Sequence, residues 1–165
     1  MEADEVIRVL GLRPLPGEGG YFAETWRSAI AIPAAALPSG YQGPRSAGTA
    51  IYYLVARDAC SRLHRLPGAE VFHFYLGDPV ELLVLRPGGA GEVVVLGPGL
   101  QAGVRPQAVV PGGVWQGCRL VPGGRWALLG TTMAPGFDYE DREAGPRDAL
   151  VAGWPAFADR IRALT

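Results

Sequence analysis

The feature that most constrains this chain is its punctuation. Short runs rich in Val, Ile, Tyr, Phe, Trp and Thr are cut by clusters such as Arg86-Pro87-Gly88-Gly89-Ala90-Gly91, Pro111-Gly112-Gly113 and Pro122-Gly123-Gly124. Proline fixes φ and lacks a backbone donor, while glycine accepts positive φ, so such clusters end strands and turn the chain. Between them, Tyr21–Ser28, Thr49–Val55, Glu70–Leu76, Val80–Leu85, Glu92–Leu96, Gln107–Val110, Val114–Val121 and Arg125–Met133 have the length and composition of strands. The last two, joined by Pro-Gly-Gly, read as a hairpin. About eight or nine short strands at this spacing predict an antiparallel barrel or sandwich. Asp4–Leu10, ended by Gly11, and the stretch from Pro155 to Leu164 predict a short helix at each end. Ile32–Ala47, with its prolines and glycines, predicts a loop with room to cover a pocket. No linker or repeat interrupts the pattern, so residues 1–165 read as one domain.

Composition narrows the function. Apolar residues make up 48% of the chain, which excludes disorder despite 24 glycines and 15 prolines. A net charge of −1 offers no basic field for a phosphate backbone, so no nucleic-acid partner is expected. No apolar run approaches membrane-spanning length, and Met1-Glu2-Ala3-Asp4-Glu5 is acidic rather than signal-like. Two cysteines, Cys60 and Cys118, are too few for a disulfide scaffold, and a cytoplasmic location is expected. The chain lacks lysine, which excludes Schiff-base catalysis and a P-loop.

The residues that could carry chemistry are concentrated in one stretch. The only two histidines are His64 and His73, with Glu70 between them. Imidazole and carboxylate suit Zn, Fe, Mn or Ni, and they also suit proton transfer. Strand alternation tests the set. If Glu70 faces a barrel interior, Phe72 and Phe74 face it too, while His73 faces outward to an outer surface or a dimer interface. Including His73 in a ligand set would need a bulge.

Segments spread along the chain together resemble one family. Gly77 lies in the spacing Glu70-x6-Gly77, and His64 falls where the first histidine of the first cupin motif, G-x5-H-x-H-x3/4-E-x6-G, would stand; Leu66 occupies the second. Pro111 and Gly113 match the second cupin motif, with Gln116 at its histidine and Leu120 at its asparagine. Glu18-Gly19-Gly20-Tyr21-Phe22, Thr49-Ala50-Ile51-Tyr52-Tyr53-Leu54, Val110 to Gln116 and Ala134 to Asp141 resemble a narrower cupin family, the domain of unknown function DUF985, or cupin-5. The resemblance implies an all-β double-stranded β-helix, or jelly-roll barrel, with short terminal helices, and a homodimer paired through strands near the N-terminus. The match at Gln116, with the pleat, implies that His64, Glu70 and Gln116 face the pocket. As a metal set they are short by two histidines, so a divalent ion there would be weakly held or absent.

The expected function is that of a cupin holding a small polar or sugar-like metabolite. Glu70 and His64 would form an acid/base pair for isomerisation, epimerisation or elimination next to a carbonyl, similar to the sugar-nucleotide epimerases among cupins. The alternatives are a non-catalytic metabolite binder that has lost its metal site, and a metal-dependent oxygenase. Tyr53, Phe72, Phe74, Trp115 and Trp126 are candidate ligand-stacking residues, and Arg45 could clamp a carboxylate or phosphate. Asp138, Glu140, Asp141 and Glu143 read as a solvated acidic turn, or as partners of Arg142 and Arg147.

Overall fold

The apolar runs pair as antiparallel strands in two facing sheets. The computed structural model describes residues 1–100 and 103–165. Its elements are α1 (Ala3–Leu10), β1 (Arg13–Pro14), β2 (Tyr21–Arg27), β3 (Ala31–Ile32), β4 (Arg45–Ser46), β5 (Thr49–Ala56), β6 (Ser61–Arg65), β7 (Glu70–Gly77), β8 (Val80–Leu85), β9 (Gly91–Leu96), β10 (Gln107–Val110), β11 (Trp115–Leu120), β12 (Trp126–Met133), β13 (Glu143–Ala144), α2 (Arg147–Gly153) and α3 (Ala158–Ala163). One sheet runs β1-β2-β5-β12-β7-β10 and the other β13-β6-β11-β8-β9.

Alternation assigns each side chain to a layer. In β5 and β12, Tyr53, Val55, Ala127 and Leu129 point between the sheets and meet Leu82, Val84 and Cys118 of the facing sheet in the central core. Their neighbours Leu54, Trp126 and Leu128 point outward and pack against Val6 of α1 and Leu12 just after it. The outer face of the second sheet, with Leu63, Leu83, Leu85 and Trp115, is covered by Leu150, Ile161 and Leu164 from the C-terminal helices. Sheets coated on both faces explain why the strands read as almost continuous apolar runs.

The ends differ from expectation in one respect. Gly11, at φ 61, terminates α1 as predicted. The C-terminus instead holds two helices, because Trp154 leaves the helical region and Pro155–Phe157 form a separate 3-10 turn before α3. Among the described residues no helix is long and apolar enough to cross a membrane.

The acidic turn after Pro135 is anchored from an unexpected direction. Arg45, 5% exposed, donates from Nε and Nη2 to Asp141 Oδ2 and Oδ1 at 2.7 and 2.6 Å. The guanidinium is therefore not available to clamp a ligand, which corrects the expectation for Arg45. The acidic run does not pair as predicted either: Arg147 reaches Thr165, and Glu143 pairs with Arg65. The buried pair fastens the segment carrying Phe137, Asp138 and Tyr139. Replacing Asp141 by Asn leaves an uncompensated buried charge and should cost about 3–5 kcal/mol. The double replacement R45M/D141L should cost much less. Urea denaturation of the two variants checks this; equal losses would show that the charge pairing is irrelevant.

Candidate functional site

A tight turn delivers the residue that sequence reasoning overlooked. Between Leu15 and Gly20 the chain closes on itself, with Leu15 N–H donating to the Gly20 carbonyl at 3.0 Å and Gly19 N–H to the Leu15 carbonyl at 3.1 Å. Gly19 and Gly20 have φ of 100° and 70°; a Cβ at Gly19 would lie 2.3 Å from the Cys60 carbonyl oxygen, and one at Gly20 2.7 Å from that of Leu54. Only glycine fits either position. Tyr53 Oη donates to the Gly19 carbonyl at 2.9 Å, and Arg62 N–H to the Glu18 carbonyl at 2.9 Å. The turn is thus pressed onto β5 and β6 with the Glu18 side chain directed at the barrel.

His64 reaches the same place through an irregularity in β6. The ladder with β11 pairs Gln116 with His64 but Cys118 with Ser61, so β6 holds one extra residue. The bulge lets Ser61 and His64 both face inward while Leu63 enters the outer core. Gly117 stands opposite, where a Cβ would meet the Ser61 carbonyl oxygen at 2.8 Å. Glu70 opens β7 opposite Met133 of β12, and its neighbour but one, Phe72, faces the interior.

These elements assemble a compact ionisable cluster. His64 Nε2 lies 4.0 Å from Glu18 Oε2 and 3.9 Å from Glu70 Oε2, and the imidazole is 2% exposed. His64 Nδ1 donates to the Arg62 carbonyl at 2.8 Å; a carbonyl only accepts, so Nδ1 carries a proton and Nε2 is the atom turned to the carboxylates. Ser61 Oγ donates to Glu18 Oε1 at 2.8 Å, Arg142 Nε to Glu18 Oε2 at 3.4 Å, and Gln116 Nε2 to Glu70 Oε2 at 2.6 Å. Burial opposes charge on His64, but Glu18 and Glu70 outweigh it, and the imidazole is held above its ordinary value of 6.5. Cys118, fully buried nearby, has its thiol pushed upward by desolvation and is a poor nucleophile.

The cluster opens onto a cavity of about 260 Å³ lined by Glu18, Glu70, Leu15, Phe22, Phe72 and Phe137, among others. Tyr53 and Phe72 line it as expected, whereas Phe74 packs against the central core and does not. Gln116 stands behind Glu70 and orients it. Trp126 and Trp115 are not pocket residues. The pleat turns Trp126 beneath α1, its indole donating to the Met1 carbonyl, and turns Trp115 under the C-terminal helices, where Arg65 stacks on it at 4.6 Å. His73 lies on the outer face, bonded to Thr132 Oγ1 at 3.1 Å and stacked on Tyr75, and is not a ligand of the site. The mouth is formed by Arg13, Glu24, Arg27, Asp138 and Tyr139, not by the 32–47 loop.

The architecture and motifs now meet known proteins. The model of the Cupin superfamily family DUF985 matches residues 4–145. The chain belongs to this cupin family. An uncharacterized protein of Saccharomyces cerevisiae, YML079W, is 30% identical over 133 residues, covering 75% of this chain and 66% of its own length. The crystal structure of protein SO0799 from Shewanella oneidensis superposes with a TM-score of 0.87 at 31% identity, covering 100% of this chain and 98% of that one. A hypothetical protein from Leishmania major gives 0.87 at 29%, covering 100% and 99%. Bacillus subtilis oxalate decarboxylase gives 0.53 at 14%, covering 93% of this cupin and 37% of the decarboxylase, a likeness of fold alone.

That decarboxylase has Mn(II) centres, which raises the question of whether this cupin's residues fit a metal. They do not. Leu66, 3% exposed, and Gln116 occupy the positions that the motif resemblance assigns to histidines, and neither is a good metal ligand. Gln116 presents its N–H to Glu70, and its Oε1 is buried without a partner. The carboxylate oxygens nearest His64 already accept from Arg142 and Gln116. Among the described residues no three His, Cys, Asp or Glu side chains, the neighbouring Glu18, His64 and Glu70 included, are disposed to hold a metal ion.

The raised His64 value sets a pH dependence. A base held above its unfolded value stabilises the fold fully below about 6.5, and that contribution is lost as pH rises through the folded value. Glu18→Gln should lower the His64 value and flatten the decline. Imidazole proton NMR is well suited, since the chain has 2 histidines. A His64 that titrates below 6.5 in the folded wild type would contradict the arrangement.

Proposed function

We propose that this cupin is an acid/base enzyme moving a proton next to a carbonyl in a small metabolite, an isomerase, epimerase or lyase by reaction type. The observation that carries the reading is that two carboxylates in the cavity wall, Glu18 and Glu70, each lie within 4.0 Å of the buried His64 Nε2. Glu18 and Glu70 favour the imidazolium, a proton donor for a carbonyl oxygen. Glu70 has one oxygen on Gln116 and no protein donor to Oε1 among the described residues. That oxygen suits a general base.

The step balances without a co-reactant. Glu70 takes the proton from the carbon beside the carbonyl, the C–H electron pair forms the enol double bond, and the carbonyl oxygen takes a proton from His64. Return of a proton from Glu70 to the adjacent carbon, with the other hydroxyl proton passing back to His64, gives the isomer. Burial of His64 and Glu70 strengthens the charge interaction between them.

The test is deuterium wash-in from D2O at the α-carbon of pyruvate, dihydroxyacetone and dihydroxyacetone phosphate, followed by NMR. Wild type should exceed the uncatalysed rate with at least one of them. Glu70→Gln should lower that rate by about 10²- to 10⁴-fold. Unchanged exchange in Glu70→Gln would leave the barrel a binding module, the reading favoured by the full engagement of Glu70 Oε2.

A further inference from the structure

Most charges at the cavity are balanced pairwise; Asp138 and Arg13 have no ion partner within 4.0 Å among the described residues. Glu24 holds Arg27 through Nε and Nη2 at 3.0 and 2.7 Å. Arg27 also donates to the Phe137 carbonyl. Glu18 has Arg142, and Glu70 faces His64. Asp138 uses Oδ1 to accept the Glu140 N–H. Arg13 is the cation of the two: among the described residues it has no carboxylate within 4.0 Å, although it lines the cavity. Its guanidinium carbon sits 5.0 Å over the Phe22 ring. Phe22 is buried and also lines the cavity.

Stacking on Phe22 fixes the plane of the guanidinium and leaves its N–H edges for a planar or tetrahedral anion. The apolar part of the lining consists of Leu15, Phe22, Ile51, Phe72, Met133 and Phe137. Thr131, 7% exposed and opposite Phe72 in the ladder, also lines the cavity and presents a hydroxyl there. A volume of about 260 Å³ lies just below the usual range for ligand pockets and restricts the occupant to a small molecule.

Building on the acid/base reading, we infer that the substrate is a small carbonyl compound bearing a carboxylate or phosphate, anchored by Arg13 at the cavity mouth with its carbonyl end at Glu70 and Thr131. Arg13 is then the specificity-determining residue. It is exposed, so replacing it should leave the fold intact.

The experiment is a binding titration by amide NMR with three probes: pyruvate, dihydroxyacetone phosphate and neutral dihydroxyacetone. Both anions, or one of them, should bind wild type more tightly than dihydroxyacetone, and the preferred anion names the headgroup. Arg13→Gln should weaken that anion roughly tenfold or more and leave dihydroxyacetone unchanged; Arg13→Lys should recover part of the loss. Anions that bind no better than dihydroxyacetone, or an Arg13→Gln variant that keeps its anion affinity, would overturn the inference. Glu70→Gln separates the two readings. If it keeps anion binding and loses deuterium exchange, both stand. If it keeps both while Arg13→Gln loses the anion, the anion site stands and the acid/base reading falls.

Discussion

Strand β12 is paired along its length with β5 on one side and β7 on the other, and this double pairing decides which side chains can reach the cavity. A strand with neighbours on both edges cannot slip by one residue without turning its whole apolar set around. Here both faces are covered, so a slip would exchange Thr131 and Met133 in the cavity for the glycine and threonine of the outer face. The register that places Met133 opposite Glu70 and Thr131 opposite Phe72 therefore sets the cavity wall. The Leu15–Gly20 turn and the bulge in β6 then add Glu18 and His64 to a position that the ladder has already determined.

The site that results is electrostatically costly to build. Burying charge is unfavourable unless each group is paired and hydrogen-bonded. Each member of the cluster has such support: Ser61 and Arg142 for Glu18, the Arg62 carbonyl for His64, Gln116 for Glu70. The residual imperfection is the unpartnered Gln116 Oε1. Its amide has one orientation that satisfies Glu70, and the carbonyl end is left without a donor.

Much of the fold was legible because turns and alternation are local properties. Pro-Gly-Gly at 122–124, the strands on either side, and Gly11 at the end of α1 follow from dihedral preferences alone. That Phe72 shares the face of Glu70 while His73 takes the other follows from a period of two; the inward Gln116 follows from its match to the second cupin motif. Trp115 and Trp126 were assigned to the pocket from residue type, against the same alternation that places Trp115 opposite to Gln116. What sequence could not supply was non-local. The buried bond from Arg45 to Asp141 joins residues 96 apart. The extra residue in β6 is visible only against its partner strand, with Gly117 as its one trace. Glu18 was present in Glu18-Gly19-Gly20-Tyr21-Phe22, where the paired glycines mark a close backbone approach, but nothing local says what the preceding side chain meets.

Leu66 and Gln116, at the positions that the motif resemblance gives to histidines, bear on the charge state of His64. A metal ion would need the imidazole neutral, with its Nε2 lone pair free. With apolar and amide groups at those positions and two carboxylates beside Nε2, the local field favours the opposite state, a protonated ring. Neutral Gln116 matters here, since a cationic histidine at that position would compete for Glu70 and reduce its hold on His64. Arg142, from the segment that Arg45 and Asp141 fasten, ties the mouth of the cavity to Glu18.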